Sequence, residues 1–265
     1  MGPRAAIDDR VELDADKIRR SCYLVNGKII TDLRGGRAMA QDDGAASRGR
    51  YHHGDLRGAL LAAARLILEE QGPRALTLRE VARRAGVSHA APRHHYASLR
   101  DFMADCAAMG FEDLATALSS AWQEHPDDPQ AGLRAMGRAY VMFALGHRAM
   151  FRLMFDRDTY AEPTADLMVS GERAYSVLVG GVDALAPARP AADKALAVST
   201  LWSLVHGLAT LMLEGKIIGP DPPRDVAGAH VEAACRLAIE GYLARQPRQA
   251  GPPGEPPPSG PPGCC

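Results

Sequence analysis

Residues Thr77 to Tyr96 impose the tightest constraint on how this chain can fold. Leu78, Val81, Ala82 and Ala85 recur at helical spacing, Gly86 breaks the helix, Val87 is apolar, and Ser88 stands where it can cap a second short helix. That second helix is expected from Ser88 to about His95. Together the pattern reads as a helix-turn-helix, in which a glycine reverses the chain with positive φ and the second helix stays exposed for the major groove.

The charge distribution agrees with that reading. The formal net charge is only -1 over 265 residues. From Arg48 to Arg100, however, ten arginines face four acids (Asp55, Glu69, Glu70, Glu80). A basic segment on an otherwise acidic chain points to a polyanionic partner for that segment alone. With 46% hydrophobic residues the chain can bury a sizeable core, and its length suits two helical units plus tails. No run of about 18 uninterrupted apolar residues occurs, and the N-terminus lacks a signal-peptide core, so a soluble cytoplasmic protein is expected. Cys22, Cys106, Cys235, Cys264 and Cys265 show neither metal-ligand spacing nor a disulfide framework.

Residues 1–47 differ in composition from the rest. They hold Lys17, Lys28 and the sole asparagine, Asn26, and the strand-like run Leu24 to Ile30 has no evident partner. A disordered leader is expected, with translation starting at Met39 as the sharper alternative. From Arg50 the chain becomes organised. Arg48, Arg50, His52 and His53 could form a short arm on the minor groove or backbone. A helix with a Leu56, Leu60, Ala64, Ile67 and Leu68 stripe then runs to Gln71-Gly72-Pro73. Thr77 and Glu80 form a capping-box pattern, and Ser98 caps the helix that follows.

Tyr51-His52-His53-Gly54-Asp55-Leu56-Arg57, followed by Leu78 through Pro92, resembles the DNA-binding domain of the TetR family of transcriptional regulators. The resemblance implies an all-α homodimer: an N-terminal three-helix domain that reads an operator, and a larger helical domain that binds a small molecule and dimerises. By the same resemblance Thr77 contacts a phosphate, Ser88, His89, Ala90 and Ala91 face base edges, and His95 lies on a phosphate. The family's Pro-Tyr-Arg-His-Phe is here Pro92-Arg93-His94-His95-Tyr96, so Arg93 stands in for a phosphate-binding tyrosine. The usual lysine opening the next helix falls on Leu99, with Arg100 beside it as a substitute. Arg50, His53 and His94 complete the expected DNA-contacting set. The clustered histidines are read as DNA contacts or solvated surface, since adjacent helical histidines diverge and no acid or cysteine joins them.

Beyond Ser98 the pattern is helical throughout. Breaks fall at His125 to Pro129, Pro187 to Pro190, and Gly219 to Pro223. Met150 to Phe155 is the richest knot of Met and Phe, suited to core packing or to an adaptable ligand wall. Trp202-Ser203-Leu204-Val205-His206-Gly207 resembles the Trp-His-Gly signature of the family's WHG-type C-terminal domain. Trp202 and His206 are four apart and share a face. Either they are a core pair, with His206 bonded to a backbone carbonyl, or His206 is a polar handle in an apolar effector pocket. The candidate pocket set is Phe143, His147, Met150, Phe151, Met154, Phe155, Trp202 and His206. By resemblance the last two helices pair with their copies in a four-helix bundle, with Ala197, Gly207, Ala227, Ala234 and Gly241 permitting close approach. The Pro/Gly-rich end cannot build a core.

The expected organisation is therefore a leader at 1–47, a DNA-binding domain at 54–114, an effector and dimerisation domain at 115–245, and a tail at 246–265. The function expected is a non-enzymatic, cofactor-free repressor on a palindromic double-stranded operator, released by an unidentified small molecule. A metal- or redox-responsive regulator, a helical interaction protein and an enzyme are the alternatives, the last lacking any convergent nucleophile, base and oxyanion donors.

Overall fold

The computed structural model describes residues 56–156, 158–160 and 163–245. The leader, Met39, Arg50, His52, His53, Cys22 and the tail with Cys264 and Cys265 lie outside the described residues. Among the described residues every regular element is helical. In order these are α1 (Leu56–Gln71), α2 (Leu78–Arg84), α3 (Leu99–Gln123), α4 (Pro129–Gly146), α5 (Arg148–Phe155), α6 (Ala165–Leu185), α7 (Ala191–Leu213) and α8 (Arg224–Ala244). Two short 3-10 turns, Pro73–Ala75 and Ala91–His94, lie between them.

Most ends follow from local chemistry. Ser98 caps α3 by accepting the Asp101 N–H, and Asp128 caps α4 by accepting that of Ala131, with Pro129 at the first helical position. Thr164 caps α6 by accepting the N–H of Leu167. α4 ends at Gly146, so His147 is a corner residue between α4 and α5.

The recognition element departs from expectation. Ser88 makes no helix cap, and the expected Ser88 to His95 helix is a 3-10 turn over Ala91–His94. Pro92 is the reason. It has no N–H to close an α-helical bond to Ser88, so the Ala91 N–H bonds the Ser88 carbonyl at 3.0 Å and the tighter three-residue pattern follows.

The core centres on α3, which packs against α1, α4, α5 and α6. The expected boundary between residues 114 and 115 falls inside this unbroken helix, so both units share it. Glycines let α3 and α4 approach their neighbours. A Cβ on Gly110 would lie 2.7 Å from the Met154 sulfur and 2.9 Å from that of Met150. One helix among the described residues, α7, is long and apolar enough to cross a membrane. It packs on α4, α6 and α8, with Ala197, Val198, Leu201, Val205, Ala209 and Met212 buried.

Candidate DNA-reading surface and effector cluster

The reading surface is built by two closures. Thr77 caps α2, its Oγ accepting the Glu80 N–H at 3.1 Å, which leaves its own O–H free to donate outward. The return half of the expected capping box is replaced. Arg83 grips the Glu80 carboxylate at 2.6 and 2.8 Å, holding it below the usual carboxylate range. At the other end Gly86, at φ 69°, donates to the Arg83 carbonyl while the Val87 N–H reaches that of Ala82. This is a Schellman closure, and its left-handed residue favours glycine.

Beyond that turn Pro92 is buried, whereas Ser88, His89, Ala90, Arg93, His94 and His95 are exposed and Ala91 is half-buried. Thr77 is exposed as well, so the described members of the expected DNA-contacting set are all solvent-accessible, Ala91 only in part. Arg100 is placed differently from its neighbours in the set. Its guanidinium donates to the Tyr160 carbonyl at 2.9 Å, which ties it to the segment after α5. Arg79, exposed in the first turn of α2 two residues after Thr77, is a further basic residue here that sequence reasoning passed over. Its position relative to the helix cap was the signal that could have found it.

The candidate pocket residues separate into three groups. His206 is ringed by Phe155, Phe151 and Trp202 at centroid distances of 4.6, 5.6 and 6.1 Å. Its Nδ1 shares a 2.9 Å hydrogen bond with the hydroxyl of Tyr140 in α4, not with a backbone carbonyl. Met150 and Met154, with their sulfurs against Gly110, fill the core toward α3. His147 stands apart with Phe143 at 5.0 Å, and its Nδ1 lies 3.4 Å from Glu69 of α1. It borders a cleft of about 300 Å³ between the two units, which Arg65, Glu69, Asp113 and Arg148 also line. Tyr140 was absent from the expected set because sequence spacing cannot show which helices meet.

Burial lowers the His206 pKa, and burial raises that of the Tyr140 hydroxyl, offset in part by a hydrogen bond from Trp202. Both groups are therefore neutral near pH 7. The unfolded chain takes up a proton near 6.5 while folded His206 resists it. Its contribution is complete above pH 6.5 and is lost as pH falls through the lower folded value. Melting temperature should accordingly fall on acidification below about 6.5, with a shallower fall in His206→Phe; parallel curves for the two proteins would remove His206 as the source.

Residues 60–105 match the family described as bacterial regulatory proteins, tetR family, and residues 133–236 match the tetracyclin repressor-like C-terminal domain. A protein of unknown function from Rhodococcus sp. RHA1 is 33% identical, with TM-score 0.61, over 73% of this chain and 98% of that one. A TetR variant from Acinetobacter baumannii AYE, solved with minocycline, is 20% identical, with TM-score 0.51, over 70% and 95%. A transcriptional regulator from Rhodococcus sp. Rha1 is 22% identical, with TM-score 0.53, over 71% and 96%. No curated protein matches the chain.

Proposed function

The chain belongs to the TetR family and is a DNA-binding transcriptional regulator, and from that premise we propose that it is a cytoplasmic homodimeric repressor released from a palindromic operator by a small molecule. The observation carrying the ligand-responsive part is the ring of Phe151, Phe155, Trp202 and Tyr140 around a neutral, partly buried His206. Such surroundings suit contact with a largely apolar effector that offers one hydrogen-bonding group. It also gives Trp202 and His206 of the Trp-His-Gly signature a shared physical role, since both converge on Tyr140.

Dimerisation is assigned to α7 and α8. Leu211, Val226 and Leu237 are exposed there, Leu237 to 72%, and a Cβ on Gly207 or Gly241 would meet nothing within 4 Å. Ala197 and Ala227 are buried within the single chain and serve its own core. Two recognition turns would then engage half-sites roughly 34 Å apart. Effector and DNA oppose one another through a coupling free energy, so each weakens the other by the same factor.

The thiols among the described residues disfavour the redox alternative. Burial pushes Cys235 up to about 11 and Cys106 higher, away from the depressed values of reactive cysteines. Members of the family are in general non-enzymatic. His206→Phe tests the pocket: once an effector is identified by release of the operator, the variant should need a much higher concentration for release, with operator affinity retained. Unchanged release would move the effector away from His206.

A further inference from the structure

A buried carboxylate links the recognition turn to the far domain. Asp105 of α3 is buried, and its Oδ2 accepts both the Tyr96 hydroxyl at 2.8 Å and Arg57 Nε at 2.7 Å. The other arm of Arg57 crosses to Asp166 in the first turn of α6, again at 2.7 Å. Tyr96 directly follows the exposed Arg93 to His95, and its N–H bonds the Pro92 carbonyl at 2.9 Å. At the far end, α6 carries Tyr175 to within 6.3 Å of Trp202, nine residues or about 13 Å of rigid helix from Asp166. One helix thus touches both the aromatic cluster and this string of side chains.

The two ends differ in strength. At the Asp105 end, losing a partner strands buried polar groups, which is costly. At the other end Arg57 and Asp166 side chains are 46% and 62% exposed, and exposed ion pairs contribute little to stability. We propose that Asp105 is a positioning residue that sets the attitude of the recognition turn, with the Arg57 to Asp166 pair as a releasable tether through which movement of α6 alters DNA reading. This rests on the DNA-binding role above and adds to it the route of regulation.

The test uses the full chain and the duplex that wild-type protein enriches from a randomised pool, with Asp166→Asn, Tyr96→Phe, their double variant and Asp166→Glu. Asp166→Asn should weaken operator binding about fivefold with little change in melting temperature, and Asp166→Glu should restore it. The double variant should lose less than the product of the two single losses, although Tyr96 and Asp166 are joined only through Arg57 and Asp105. Without DNA, Asp166→Asn should speed amide exchange at Arg93, His95 and Tyr96. Multiplicative losses, unchanged affinity or unchanged exchange at those amides would each overturn the tether. Should wild-type protein enrich no duplex, the DNA-binding role fails on its own, and the exchange measurement still decides the proposal.

Discussion

Phe102→Ala is expected to lower the free energy of unfolding by about 3–5 kcal/mol, a large share of the roughly 5–15 kcal/mol that holds a typical domain together. Phe102 is fully buried near the start of α3, and its ring meets that of Tyr96 edge-on at 4.9 Å. Truncation removes the transfer free energy of the ring and leaves a cavity that neighbouring helices can close only partly. The loss also reaches function, because Tyr96 closes the recognition turn through Pro92 and anchors it to Asp105. Urea unfolding of the two proteins measures the effect. A shift in midpoint without a change in slope is expected, and a loss below about 1 kcal/mol would show that the ring does not hold this corner.

Arg93→Ala is expected to weaken operator binding by about tenfold or more, within the roughly 1–3 kcal/mol that a good bidentate contact supplies. Arg93 is exposed beside His94 on the 3-10 turn, with its backbone N–H held by the Ala90 carbonyl, so the substitution alters the surface and not the fold. A phosphate contact predicts uniform weakening across sequences and a salt slope smaller by about one. Binding titrated at several salt concentrations measures both quantities. An unchanged slope with relaxed selectivity at one base pair would make Arg93 a guanine reader instead, and unchanged affinity would remove it from the interface.

Much of the fold was legible because it rests on chemistry local in sequence. Thr77, Ser98 and Asp128 cap helices through bonds to N–H groups three residues away, and Gly86 closes α2 with a positive φ. The recognition element was legible in place but not in form. The same Pro92 that marks the family pattern also denies the α-helical bond at its start, and the local balance tips to a 3-10 turn.

Contacts between distant elements were not legible. Helical periodicity says which face of a helix is apolar, yet it is silent on which helix covers that face and at what register. Hence Met150 and Met154 could not be told from Phe151 and Phe155, though one pair fills the core at Gly110 and the other surrounds His206. Glu69 with His147, Tyr140 with His206, and Arg57 with Asp105 and Asp166 are separated by 48 to 109 residues. By itself the sequence determined the place of the helix-turn-helix, most helix ends and the all-helical class, since caps, glycine and proline act within a few residues. Tertiary structure alone decided which side chains meet, because burial and charge pairing depend on how whole helices pack.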